Sequence, residues 1–228
     1  MNPHSFVMAN PLTTMDFSTE SRERLNRYAE ALRQWNARIN LVSKDTIATL
    51  ETRHIQDAAQ LWPRIKAIAD GLPEGRCRLV DLGSGAGIPG VILAILGHCD
   101  VTLIESDQRK AAFLRYIRAS LGLRLNVICA RIAEVHPTEP HGITARGFAS
   151  LPAILEETRA WWHSGLRYWL WKGENFREEW ERGCRSYAFE TVAHPSATRA
   201  GSAILEIHSL QREIPPCVSL PLRIKKGE

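Results

Sequence analysis

From Ser18 onward, apolar residues recur at alternating spacings of three and four: Leu25, Tyr28, Leu32, Trp35 and Ile39. That is one stripe of a helix, whose other faces carry Arg24, Arg27, Glu30 and Arg33. A second helix is expected after Ser43-Lys44-Asp45, with Ile47, Leu50, His54, Ala58, Leu61 and Ile65 on its inner face and Pro63 kinking or shortening it. From Cys77 the period changes. Short apolar runs at 78–82, 101–105, 125–130, 143–145 and 167–171 alternate with helix-length segments at 88–96, 107–121, 151–162 and 176–183, the grammar of a parallel sheet covered by helices. Two more strand-like runs, 189–194 and 203–210, flank the turn-rich stretch 195–201 and read as a hairpin. The pattern therefore divides the chain into a loose tail (1–17), a helical cap (18–72) and an α/β domain (73–228) that forms one structural unit.

Composition adds bounds rather than identity. With 228 residues, 44% of them apolar, the chain can fill a real core. A formal charge of +4 suits a polyanionic partner, although many proteins without one share it. The five cysteines, Cys77, Cys99, Cys129, Cys184 and Cys217, are scattered, with no C-x-x-C pair and no Cys/His cluster, so neither a disulfide framework nor a metal site is expected. MNPHSFVMANPL has no basic-then-apolar leader, and no apolar run nears the roughly 18 residues of a membrane span. A cytoplasmic protein with no membrane partner is the expectation.

The chemistry concentrates in VDLGSGAGIPGVILAI, residues 80–95, an apolar strand running through glycines into an apolar helix. Gly85-x-Gly87-x-x-Gly90 has the spacing of a dinucleotide fingerprint. Asp81-x-Gly83-x-Gly85-x-Gly87 is equally the pattern by which S-adenosylmethionine enzymes hold an amino-acid tail. Either way Gly83, Gly85 and Gly87 let a ligand reach backbone N–H groups, Pro89 fits a first helical turn, and Gly90 permits close helix-to-strand packing. Glu105, about 20 residues on, stands where an acid accepts from ribose hydroxyls or, alternatively, caps the helix starting near Ser106. Arg131-Ile-Ala-Glu134 offers amides and an acid where an adenine ring would lie. The hairpin at the end of the sheet favours the S-adenosylmethionine reading, since a dinucleotide enzyme usually needs a second βαβ half there.

Five stretches together resemble the bacterial small-subunit rRNA guanine-N7 methyltransferase family, also called the glucose-inhibited division protein B family. They are Trp35-Asn-Ala-Arg-Ile-Asn-Leu41, Arg53-His-Ile-Gln-Asp57, Asp81 through Gly90, Ala145-Arg-Gly-Phe-Ala-Ser-Leu151 and Trp171-Lys-Gly173, within a likeness running from about Leu32 to Leu210. The resemblance implies a Rossmann-like class I S-adenosylmethionine methyltransferase: a seven-stranded, mostly parallel sheet with a C-terminal β-hairpin and an N-terminal helical cap. It implies methylation of N7 of one guanine in 16S rRNA, with 16S rRNA or the small ribosomal subunit as partner; a monomer is expected. Carried over by position, its cofactor contacts fall on Gly83, Ile88, the Ala133-Glu134 pair and Arg146, with Glu105 where the family often has Asp. Ser84, Ala86, Ala145 and Gly147 depart from its usual Thr, Pro, Ser and Ala, all small-for-small changes.

Guanine N7 has a free lone pair and no proton to lose, so alignment rather than a general base is what such a site must supply. The fourth strand leads into Ile143-Thr-Ala-Arg-Gly-Phe148, not into the Asn/Asp-Pro-Pro-aromatic of amine methylation or a Pro-Cys nucleophile. Three residues are candidate catalytic contributors: Arg146, Lys172 and His54. Because N7 must stay open, Arg146 is expected to meet cofactor or phosphate, or else to pair with Glu134 or Asp81. His54 and Asp57, three apart, share a helical face and are placed to hydrogen-bond. Lys172 ends the fifth strand, facing RNA phosphate or solvent, and Phe148 stacks on a base or joins the core. Arg109, Lys110, Arg115, Arg118, Arg124, Arg223, Lys225 and Lys226 either contact phosphates or solubilise the surface. Trp161, Trp162, Trp169 and Trp171 read as one aromatic cluster, core packing first and base stacking second. A nicotinamide-dependent oxidoreductase and a non-catalytic RNA-binding ribosome-assembly protein are the competing readings.

Overall fold

A computed structural model describes residues 17–211 and the backbone of residues 223–224. The expected loose tail up to residue 16, Cys217, and the side chains of Arg223, Lys225 and Lys226 lie outside the described residues. Strands β1 (Cys77–Leu82), β2 (Cys99–Ile104), β3 (Leu125–Ile128), β4 (Gly142–Arg146) and β5 (Arg167–Lys172) are parallel. Strands β6 (Ala188–Pro195) and β7 (Ala203–Gln211) form the hairpin, with β7 antiparallel to β5, and the two-residue β8 (Arg223–Ile224) lies along β6. The spatial order is β3-β2-β1-β4-β5-β7-β6-β8. The seven-stranded, mostly parallel α/β sheet read from the sequence is thus present, with β8 added at its edge. Strand order reverses between β1 and β4, and an open α/β sheet binds its ligands beyond the carboxyl ends of the strands at such a point.

Helices cover both faces. On one face α1 (Thr19–Asn36), α4 (Trp62–Asp70), α5 (Gly90–Leu96) and α6 (Gln108–Leu121) share a core that includes Tyr28, Leu32, Ile92, Phe113 and Trp169. On the other, α7 (Leu151–Glu157) and α8 (Phe176–Cys184) pack over Leu82, Ile143, Tyr168 and Leu205. The four tryptophans do not form one cluster. Strand alternation sends Trp169 and Trp171 to the first face, while a 3₁₀ turn (Arg159–Trp161), where a longer α7 was expected, holds Trp161 and Trp162 on the second.

The second helix of the cap differs most from expectation. The pattern from Ser43 to Ile65 is broken into α2 (Lys44–Ile47), a π-helical turn (Glu51–Gln56), α3 (Asp57–Ala59) and α4. Pro63 opens α4 instead of kinking a longer helix, because a first turn does not use the N–H that proline lacks. Phe17, assigned to the loose tail, is buried with its ring edge-on to Trp62.

Candidate active site

The β1–α5 connection is shaped from below by a buried carboxylate. Asp81 Oδ1 accepts from Thr144 Oγ1 at 2.7 Å, and its carbonyl accepts from Ser84 Oγ at 2.9 Å. Burial pushes the Asp81 carboxyl up to about 6. Gly83, Gly85 and Gly87 have φ of +60°, +56° and +88°, the left-handed region in which a side chain is strained. A Cβ on Gly90 would lie 2.4 Å from Leu103 Cδ2, so this glycine does permit the close packing of α5 on the sheet. Two contacts pin the loop: Tyr28 donates its O–H to the Ala86 carbonyl (2.8 Å), and Gly85 N–H donates to Glu105 Oε2 (2.7 Å). Glu105 also accepts from Asp107 N–H (2.8 Å), whereas the cap of α6 is Asp107 itself, accepting from Arg109 and Lys110 N–H.

Above this loop opens a pocket of about 340 Å³ lined by Gly83, Ile104, Ser106, residues 130–133, Phe148 and Glu157. Phe148 is a wall of it: a Cβ on Gly83 would sit 2.3 Å from the Phe148 ring. Of the expected cofactor contacts, Gly83 and Ala133 line this pocket, while Gly85 and Glu105 hydrogen-bond to each other beside it. The others sit elsewhere. Gly87 makes room for Val91, Ile88 is buried in the core, and Glu134 folds back to accept from Arg131 N–H at 3.1 Å.

Arg146 turns the other way, into a cleft of about 260 Å³ that it shares with His54 and Lys172, so the structure brings the three catalytic candidates together. Arg146 pairs with neither Glu134 nor Asp81. Its Nη1 lies 3.1 Å from Asp57 Oδ2, and its Nη2 donates to the Arg53 carbonyl at 2.9 Å. Asp57 is buried and also accepts from Gln60 Nε2 (3.0 Å) and Ser196 Oγ (2.7 Å), tying the cap to the hairpin. The expected His54–Asp57 hydrogen bond is not made. Both residues line the cleft, but His54 Nε2 meets Thr46 Oγ1 at 2.9 Å while Asp57 is taken up by Arg146, Gln60 and Ser196. Burial, then the Arg146 and Arg53 guanidinium groups, hold His54 down at about 4, so its ring is neutral near pH 7. Lys172 is neither a solvated strand end nor free for a phosphate. It is buried, and its Nζ donates to the Ala149 carbonyl (2.6 Å) and to Glu179 Oε2 (2.8 Å), which also accepts from Leu151 N–H.

Sequence reasoning did not single out Thr46, Arg53, Ser196, Thr198 and Arg199 as cleft residues, although all five line it. The sole trace of the hairpin's share was a turn-rich stretch with Ser and Thr in it. Among the described residues no group of His, Cys, Asp and Glu could hold a metal ion, and no helix is long and apolar enough to cross a membrane.

Comparison with known proteins gives the pockets a context. The GidB family, described as rRNA small subunit methyltransferase G, matches residues 21–208. A ribosomal RNA small subunit methyltransferase G of Paramagnetospirillum magneticum is 39% identical over 201 residues, 88% of this chain and 95% of that one. Its counterpart from Gluconobacter oxydans is 41% identical over 197 residues, 86% and 98% of the two chains. Among solved structures, a variant of MtNAS in complex with S-adenosylmethionine superposes with a TM-score of 0.56 at 14% identity, covering 82% of this chain and 75% of that one. Magnesium protoporphyrin IX methyltransferase from Synechocystis PCC 6803, with bound SAM, gives 0.53 at 14% identity, covering 84% and 97%.

Proposed function

The chain belongs to the GidB family, rRNA small subunit methyltransferase G, and from that premise we propose that it transfers a methyl group from S-adenosylmethionine to N7 of one guanine in 16S rRNA. Methyl transfer and the cofactor class follow from the family and the fold; the atom and the RNA molecule are our reading. The observation that carries it is one shared wall. The loop after β4 lends Phe148 to the glycine pocket and, one residue earlier, Gly147 to the cationic cleft, so a donor in one adjoins an acceptor in the other.

The glycine pocket suits S-adenosylmethionine. Gly83, at φ +60° and with no side chain, lines it, and Glu105 at the end of the next strand holds the Gly85 N–H. Gly83 and Ala133 would hold the cofactor, with Glu105 fixing the loop beneath it. When bound, S-adenosylmethionine supplies the methyl as an activated sulfonium group, open to in-line displacement by a lone pair. The chain's own task is alignment. Arg146, fixed by Asp57 and the Arg53 carbonyl, places positive charge in the cleft without a mobile side chain. His54, neutral near pH 7, adds no charge, and N7 has no proton for it to take. Lys172 acts through the loop it holds rather than on the acceptor.

The nicotinamide reading of the same glycines falls with the family match and with the antiparallel hairpin that replaces a second βαβ half. The test is incubation with labelled S-adenosylmethionine and small subunits from cells lacking the gene, followed by chain cleavage at N7-methylguanosine. We expect label at a single guanine of 16S rRNA. Label on another base or atom overturns the assignment of N7, and tight cofactor binding without any transfer favours the RNA-binding assembly protein.

A further inference from the structure

A third depression lies away from both pockets, between α1 and α6. The two helices run antiparallel: Arg27 Nη2 donates to the Ser120 carbonyl near one end, and Trp35 packs on Phe113 and Tyr116 toward the other. At that second end a groove of about 550 Å³ opens, lined by Gln34, Trp35, Arg38, Ile39, Arg109 and Ala112. Beside it stands Tyr116, 45% exposed and the one large hydrophobic side chain left exposed among the described residues. Its ring centroid is 5.4 Å from that of half-buried Trp35, with the planes tilted by 35°.

The charges around this aromatic pair are basic. Arg38 is exposed, and its guanidinium has no ion-pair or hydrogen-bond partner among the described residues. Arg109 is exposed too, and reaches Asp107 only at 3.4 Å. Arg109 is the second residue of α6, which starts just past Glu105, and the chain after Arg38 runs on to Thr46 in the wall of the cleft. The groove therefore borders the edge of the sheet on which both pockets open.

We infer that this groove holds a single-stranded segment of the substrate RNA outside the acceptor nucleotide, a base lying on Tyr116 and Trp35 and phosphates on Arg38 and Arg109. Stacking platforms edged by cations are how proteins grip unpaired RNA without reading its sequence. The inference rests on the rRNA reading above, and its test separates the two.

Tyr116→Ala and the double variant Arg38→Ala/Arg109→Ala alter exposed side chains, and their melting temperatures should match the parent. Two assays apply to each: methyl transfer to unmethylated small subunits, and filter retention of labelled 16S rRNA over a range of salt. We expect KM for the subunit to rise about tenfold in each variant, with kcat and affinity for S-adenosylhomocysteine within twofold. The slope of log affinity against log salt should fall by about 1.4 in the double arginine variant, at about 0.7 per single-strand phosphate, and stay unchanged in Tyr116→Ala. Wild-type KM and salt slope in both variants overturn the inference. So does loss on intact subunits with full retention of naked rRNA, which would assign the groove to a ribosomal protein. If the wild type moves no methyl to rRNA, the functional reading fails, and filter retention still decides the groove.

Discussion

The two pockets that flank the loop after β4 are built by opposite means. The glycine pocket is lined largely by small residues and strand ends, Gly83, Ser106, Ala130 and Ala133 among them, with Phe148 as a wall and Glu105 spent on the N–H groups of Gly85 and Asp107. The cleft is made of side chains drawn from four separated segments, and Arg146, Gln60 and Ser196 all meet at Asp57 before any ligand arrives. A pocket of small residues keeps its shape as long as they stay small. A side-chain cleft keeps its shape as long as its network is complete. The two should therefore fail in different ways when altered.

The largest effect is expected at the glycine loop. Gly83→Asp puts a Cβ where the Phe148 ring lies, in a left-handed conformation costing about 1–2 kcal/mol, and adds a carboxylate to the pocket floor. Calorimetry with S-adenosylhomocysteine should show binding weakened by at least about 100-fold, the size of a strained backbone and a buried unpaired polar group together. Retention of 16S rRNA should stay near wild type, since the charged side chains of the cleft and of the α1–α6 groove are all kept. Concurrent loss of RNA retention would mean that the two pockets are not separable.

Asp57→Ala makes the converse test. It frees Arg146 and removes the carboxylate that Gln60 and Ser196 share, so the hairpin loses one of its ties to the cap. Misplacing a positioning group by about 1 Å costs on the order of 100-fold, and kcat/KM should fall by that much. Affinity for S-adenosylhomocysteine should stay within threefold. Restoring rate but not pairing with Asp57→Asn would show that the latch to Ser196, rather than the charge on Arg146, is what the cleft needs.

That division also explains what the sequence disclosed. The sheet, the hairpin and the glycine loop were legible because each is local: period, strand-end glycines and an acid about 20 residues on are read within one βαβ unit. Arg146, His54 and Lys172 were found, but their partners were not. Arg146 meets Asp57 across 89 positions of sequence and Ser196 meets Asp57 across 139, and no pattern in a single chain encodes such pairings. The π-helical turn hid the cap's geometry as well. Its sequence keeps an apolar period that an α-helix would share, so nothing local marks the widening.

Lys172 breaks the comparison, because it serves both sides. Its Nζ holds the Ala149 carbonyl, and with Glu179 it fixes the start of α7, so the shared wall depends on it. Lys172→Met strands the Glu179 carboxylate and should destabilise the fold by about 3 kcal/mol in urea titrations. Cofactor affinity and kcat/KM should both drop, by about tenfold each. A loss confined to kcat/KM would return Lys172 to the acceptor side as a direct contact.

The smallest net effect on the wild type lies in pH dependence, because the two sites carry opposite signs. His54 sits at about 4 in the fold against 6.5 unfolded, so the unfolded chain binds more protons between those values. Its contribution to stability is present above pH 6.5 and is lost as pH falls toward 4. Asp81 sits at about 6 against 3.8, so the native state binds more protons there, and its contribution is present below pH 3.8 and lost as pH rises through 6. The two slopes oppose each other across nearly the same window, and each variant removes one of them. Urea midpoints should show His54→Gln gaining on the wild type as pH falls from 6.5 to 4, and Asp81→Asn gaining as pH rises from 3.8 to 6. Parallel slopes for both variants and the wild type would mean that neither group is held from its ordinary value. The cleft would then owe the neutrality of His54 near pH 7 to nothing more than an unperturbed imidazole.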